Sequence, residues 1–295
     1  MGRRGEVTLK MRTEIETPRG TFAISHADRL LMLGSCFTDS VGARLEADGF
    51  AVTRNPFGPL YNPLSIASVL RMIFEDRRYT PANLTVDAAG ISHCLDFALR
   101  WQSADADVLC AELNYELDSL AGAYSEATVV VLTFGSSFGY YVTGAESDWP
   151  VGNCHKFPST YFERRPITVG RITDCWRPLA ERIKADGKHL LLTVSPIRHL
   201  ADGLHGNELS KARLLLACEA LADVADYFPS YEIMLDDLRD YRFYAADMKH
   251  PSDVAVDYIY QHFANVYFDE QTAAEALRRR SETLRAAHRQ IIDRI

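Results

Sequence analysis

Leu30-Leu31-Met32-Leu33-Gly34-Ser35-Cys36-Phe37-Thr38-Asp39 decides how this chain is read. Four apolar residues in a row make a buried strand. Phe37, Val41 and Leu45 then recur at the spacing of one helical face, and Gly49 stands as a C-terminal stop. The unit is strand, tight turn, helix. It puts Ser35 and Cys36 beyond the carboxyl end of a strand and at a helix N-terminus. Ligands of open α/β sheets collect there, and the helix dipole favours an anionic nucleophile or oxyanion. Both residues are candidate nucleophiles; the bland alternative is a turn chosen for small size.

Outward from this unit, Phe50-Ala51-Val52 reads as a second strand. Asn55-Pro56-Phe57-Gly58-Pro59-Leu60-Tyr61-Asn62-Pro63 is too rich in Pro and Gly for a helix or a central strand and reads as a rigid loop. Asn62 is placed to N-cap the next helix, with Pro63 at its first position. Thr128-Val129-Val130-Val131-Leu132-Thr133 is a central strand, ended by Gly135-Ser136-Ser137. His189 to Val194 is another, closed by Ser195-Pro196, and Tyr231-Glu232-Ile233-Met234-Leu235 is expected to be the last. Helical periodicity marks 105–124, Ile172 to Asp186, Glu208 to Asp226, a segment opened by Pro251, and the tail from Thr272. Val7, Leu9 and Met11, and Thr21 to Ile24, read as edge strands or an arm. The stretch 75–104 is irregular. The long connection 138–170 carries Asn153-Cys154-His155-Lys156, and connections of that length inside a domain usually have a function.

Strand and helix alternate about five times, which predicts a parallel sheet with helices on both faces and right-handed crossovers. The 295 residues are 47% hydrophobic and 24% charged, an ordinary globular mix with no second-domain boundary, repeat or low-complexity segment. The net charge of −8 argues against nucleic acid or an anionic membrane as partner. No run approaches the roughly 20 apolar residues of a membrane helix. The basic N-terminus has no apolar segment behind it, so a cytoplasmic location is expected. Oligomeric state is not read from the sequence. The six cysteines form no C-x-x-C pair and read as free thiols; Cys110 and Cys218 sit in helical patterns as small core residues. With no tight ligand spacing, no P-loop and no dinucleotide fingerprint, neither a metal nor a cofactor is expected.

The second informative stretch is Tyr244-Ala245-Ala246-Asp247-Met248-Lys249-His250-Pro251-Ser252. In a turn, Asp247 can reach one imidazole nitrogen of His250, fix its tautomer and leave the other nitrogen to accept a proton. The αβ order brings this turn to the same carboxyl edge as Ser35 and Cys36. His250 is expected within about 3–5 Å of one of them. Arg198 and His199 follow the fourth strand at that edge, and Arg198 can bind a carboxylate or phosphate. Asn153 and His155 are candidates for substrate contact or for anchoring their loop.

Gly34-Ser35-Cys36-Phe37 and Asp247-x-x-His250-Pro251 resemble the SGNH/GDSL hydrolase superfamily and, within it, the GSCFA family. The 55–63 loop, Asn153-Cys154-His155-Lys156, Ser195-Pro196-Ile197-Arg198-His199 and Tyr227-Phe228-Pro229-Ser230-Tyr231-Glu232 resemble the family too. The resemblance covers roughly residues 20–268. It implies a three-layer α/β/α fold with a five-stranded parallel sheet ordered 2-1-3-4-5. The expected organisation is an arm (1–20), a catalytic domain (21–268) and a docked C-terminal helix (269–295).

The resemblance further implies ester chemistry through a covalent acyl-enzyme. The expected function is a deacylase, acting on a small molecule or carbohydrate ester, acetyl groups included. An O-acyltransferase with the same covalent step and a non-catalytic domain of the same fold are the alternatives. Aligned on Gly34, Cys36 stands where the superfamily has its nucleophilic Ser, and Ser35 where it has Asp. A thiol at a helix N-terminus beside an imidazolium is expected to have a lowered pKa. The alternation of side chains at a strand end also requires one of Ser35 and Cys36 to point inward. Gly58 matches the superfamily's first oxyanion donor. The Asn of its Gly-x-Asn motif is missing, since the chain has Gly135-Ser136-Ser137. Ser137, Asn62 or Asn153 is then the replacement donor.

Overall fold

The computed structural model describes residues 13–17 and 19–292, with side chains described as far as 282. Strand β1 (Arg29–Gly34) leads into helix α1 (Cys36–Ala47), β2 (Ala51–Arg54) and α2 (Pro63–Phe74). Helix α3 (Ala106–Glu126) precedes β3 (Val129–Phe134), and α4 (Val169–Ala185) precedes β4 (His189–Val194). Then come α5 (Gly203–Glu219), β5 (Asp226–Phe228), α6 (Asp253–Tyr267) and α7 (Glu270–Ile292). The five strands form one parallel sheet in the order β2-β1-β3-β4-β5, with Leu31 opposite Thr53 on one side and Val130 on the other.

Alternation along the strands builds the two faces. Leu31 and Leu33, Val130 and Leu132, and Leu190 and Leu192 pack under α2, α3, α4 and α5. Leu30 and Met32, Val129 and Val131, and Leu191 pack under α1 and α6. This is the three-layer arrangement and strand order that the resemblance implied. No described helix is long and apolar enough to cross a membrane.

Several expectations at the element level are corrected. The fifth strand is Asp226–Phe228; Tyr231 to Leu235 instead forms a helical turn (Ser230–Glu232) running into a π-helical one (Ile233–Asp237). Short apolar runs do not separate strand from buried helix by periodicity. Helix α5 starts and ends earlier than read, at Gly203 and Glu219. Thr21 to Ile24 is not a strand. It is tied down by Thr21 N–H to Asp226 Oδ2 (2.9 Å) and Ile24 N–H to the Tyr267 carbonyl (2.7 Å). Val7, Leu9 and Met11 lie outside the described residues. The segment 75–104 contains three short antiparallel strands, and the 138–170 connection pairs Phe138–Val142 with Phe162–Pro166. The second insertion brings Val151 to Cys154 to the cleft beside Cys36.

Candidate active site

The nucleophile turn is held by backbone. Gly34 has a positive φ of 145°, and a Cβ there would collide with the Thr133 carbonyl, so only glycine lets β1 close on β3 at this point. Asn55 fastens the turn, its Oδ1 accepting the Gly34 N–H (2.9 Å). Ser35 N–H donates to Thr133 O at 3.2 Å.

The two candidate nucleophiles then part. Ser35 is fully buried, and its Oγ accepts the Phe37 N–H (3.3 Å) as the N-cap of α1. Its hydroxyl is buried and Ser35 is not among the residues lining the cleft. Cys36 is the first residue of α1, partly exposed, with Sγ 3.5 Å from His250 Nε2.

The imidazole is set by its own loop. Tyr244 and Pro251 form an antiparallel bridge that closes the loop. Asp247 Oδ1 accepts the backbone N–H of Lys249 (2.9 Å) and of His250 (3.0 Å), and its Oδ2 lies 2.6 Å from His250 Nδ1. These donors hold the Asp247 carboxyl well below the usual carboxylate range, the His250 backbone N–H foremost. A carboxylate can only accept, so Nδ1 carries the hydrogen and the Nε2 lone pair faces Cys36. The loop is fixed to the segment after β4 by Arg198 N–H donating to Lys249 O at 3.1 Å.

The thiol does not behave as the turn alone suggested. Burial pushes the Cys36 pKa up, Asp39 adds to this, and the hydrogen bonds from its own backbone, Tyr61 and Phe37 only partly offset it. Ionisation of Cys36 therefore needs the neighbouring base. Tyr61, absent from the sequence-derived candidates, puts its hydroxyl beside that thiol. Burial, with Cys36 and Asp39 nearby, raises its pKa to about 12, so it stays a donor. Its signal was its place in the Pro- and Gly-rich loop, one residue before Asn62.

Cys36 and His250 share a cleft of about 410 Å³ with Tyr61, Asn153, Arg198 and His199. The Oδ1 of Asn153 accepts the His155 N–H (2.9 Å), which fixes the amide so that Nδ2 is the end left to donate. Burial, reinforced by the neighbouring Lys211 and Arg164, lowers His199 to about 3 and keeps it neutral. Its Nε2 is buried without a hydrogen-bond partner among the described residues. Arg198 lies over the rings of Tyr244 (3.9 Å) and Tyr241 (5.2 Å). Under the cleft floor, fully buried Lys211 donates to the carbonyls of Gly135 and Ser195 at 2.6 Å each, joining the ends of β3 and β4. Burial lowers its pKa to about 7. In sequence Lys211 looks like any lysine of an amphipathic helix.

Four expected site residues are used elsewhere. The Gly58 N–H donates to Asn55 O (2.8 Å) inside its own turn. Asn62 caps α2, accepting the Ser65 N–H (2.9 Å) and donating Nδ2 to Ser65 Oγ (2.8 Å). Ser137 is fully buried behind the cleft, with its N–H on Ser210 Oγ (2.7 Å), and Ser136 is the residue that lines the cleft. His155 is buried and anchors its loop, its Nε2 on the Phe97 carbonyl (2.8 Å) and its Nδ1 3.2 Å from His93 Nδ1.

The GSCFA family model matches residues 29–263 of the chain. No curated protein matches it. Among solved structures, it is similar to a psychrotrophic esterase from a Pseudoalteromonas species, at 12% identity, with 81% of this chain and 96% of that one covered and a TM-score of 0.38. An acetylxylan esterase from Geobacillus stearothermophilus is similar at 14% identity, with 84% and 98% covered and a TM-score of 0.41. A GDSL-like lipase from Bacteroides thetaiotaomicron is similar at 10% identity, with 81% and 87% covered and a TM-score of 0.41.

Proposed function

The chain belongs to the GSCFA family, and we propose that it is an ester hydrolase working through a thioester on Cys36. The observation that carries this reading is the line Cys36 Sγ to His250 Nε2 (3.5 Å) and His250 Nδ1 to Asp247 Oδ2 (2.6 Å). His250 takes the thiol proton as sulfur attacks the ester carbonyl. The imidazolium, held by Asp247, then protonates the departing alkoxide. Water, deprotonated by the same Nε2, cleaves the thioester, releases the acid and restores the thiol. Because burial raises the Cys36 pKa, the thiol rests protonated and attack is coupled to proton transfer.

The oxyanion forms over the N-terminus of α1. The Cys36 backbone N–H belongs to the first turn, whose donors lack intrahelical acceptors. The Tyr61 hydroxyl and the Asn153 amide are two side-chain donors lining the same cleft, and in this reading Asn153 replaces the missing superfamily Asn. The polar groups of Asn153 and Ser136 along the cleft suit a sugar-like alcohol carrying a small acyl group such as acetyl.

The test is intact-mass analysis after incubation with p-nitrophenyl acetate. One acetyl adduct is expected on wild type and on Ser35→Ala, and none on Cys36→Ala. An acetyl group mapped to Ser35, or full turnover by Cys36→Ala, overturns the reading.

A further inference from the structure

The chain carries 40 acidic and 32 basic residues, yet its cleft is lined by Arg164, Arg198 and Lys249 and by no carboxylate among the described residues. The nearby acids are already taken. Asp39 pairs with Arg54, Asp202 with Arg164, and Asp247 with His250. Glu208 accepts from the Tyr231 hydroxyl (2.6 Å). Arg164 is thus neutralised by Asp202 and stacked on Phe138. Arg198 and Lys249 have no carboxylate within ion-pair distance among the described residues. Their segments are joined by the backbone bond from Arg198 N–H to Lys249 O, and Lys249 directly precedes His250.

Arg198 is also pre-set. Its guanidinium stacks 3.9 Å from the Tyr244 ring centroid, which limits its freedom without spending its charge. A guanidinium held by aromatic side chains and facing no carboxylate is a group that recognises carboxylate or phosphate oxygens. The depressed pKa of His199 has neighbouring positive charge among its causes, which fits an electropositive cleft.

We propose that the cleft selects substrates bearing an anionic group, a carboxylate or a phosphate, which Arg198 and Lys249 hold on the His250 side of the nucleophile. This deepens the hydrolase reading and rests on it for the word substrate. The recognition itself needs no turnover.

The experiment is titration calorimetry on the full chain carrying Cys36→Ala, with glucose, glucuronate and glucose 6-phosphate as probes. At least one anion should bind about tenfold or more tighter than glucose, the scale of a charged hydrogen bond. That preference should weaken with added salt. The stronger of the two anions tells carboxylate from phosphate. The preference should collapse in an Arg198→Gln, Lys249→Gln double variant and return in part with Arg198→Lys, thermal melts establishing that each variant is folded. Binding of glucose as tightly as both anions, absence of binding by either anion, or a preference that survives in the double variant overturns the inference. An anion preference in a protein that forms no thioester retains this inference and removes the hydrolase. A thioester without anion preference does the reverse.

Discussion

Two carboxylate–imidazole systems stand on the insertions and loops of this chain. In the first, Asp247 Oδ2 meets His250 Nδ1 at 2.6 Å on a half-exposed loop, and the far nitrogen faces a thiol. In the second, Asp87 Oδ2 meets His93 Nε2 at 3.0 Å, and the far nitrogen faces His155 Nδ1 at 3.2 Å. His155 closes the chain on the Phe97 carbonyl. That carbonyl can only accept, so His155 donates through Nε2 and turns its Nδ1 to His93. Every site in the second system is occupied by protein. The same parts thus give a free lone pair beside a nucleophile in one place and a closed network in the other. What the second imidazole nitrogen meets, rather than the carboxylate–histidine pair itself, separates a base from a fastening.

Replacing His250 by Ala breaks the first system where the proposed reaction needs it. Ester turnover should fall about 10²–10⁴-fold, while the melting midpoint hardly moves, because the side chain is half exposed. Unchanged turnover would put both systems in the same structural class.

Asp247→Asn should have the next largest effect, about 10²-fold in kcat. It keeps the shape of the loop and removes the charge that stabilises the imidazolium. A loss confined to kcat, with KM and the melting midpoint unchanged, separates this from a merely structural loss.

His155→Ala tests the second system and should show the opposite pattern. Opening a buried hydrogen-bonded network costs about 1–3 kcal/mol in urea unfolding. Turnover should change little, because the backbone N–H of residue 155, which holds the Asn153 side chain in the cleft, is kept in the variant. A loss in kcat as large as that of His250→Ala would erase the contrast.

The smallest effect is a slope. His155 is held below its ordinary pKa mainly by burial, and His199 is lowered to about 3, also mainly by burial. Below pH 6.5 the unfolded chain takes up protons that these folded rings refuse. Stability is then full above that pH and declines as pH falls from it towards the folded-state values. Urea midpoints between pH 8 and 5 should fall with that sense, and less steeply in His155→Gln.

The buried strands, the Gly34–Cys36 turn and the Asp247–His250 pair were legible because each is written locally, while the strand order came from the family resemblance. A run of apolar residues, a glycine where two strands crowd, and an Asp three residues before a His all act over a few residues of chain. The misread fifth strand shows the limit of local signals. Tyr231 to Leu235 has the apolar content of a strand, yet Asp226–Phe228 is what pairs with β4. The same limit hides Tyr61 and Lys211, whose neighbours Cys36 and Gly135 are distant in sequence.

The sequence by itself determined a three-layer α/β chain with a thiol or hydroxyl and a carboxylate-backed imidazole at one edge of its sheet. Only the tertiary structure set Ser35 and Cys36 apart, burying the Ser35 hydroxyl on the Phe37 N–H and leaving Cys36 Sγ beside His250. It alone gave Gly58, Asn62, Ser137 and His155 their hydrogen-bond partners inside the fold, since the partners of buried groups are not written beside them in the chain. It also decided that Cys36 rests as a thiol, because burial is a property of the packed whole and outweighs what a helix N-terminus supplies.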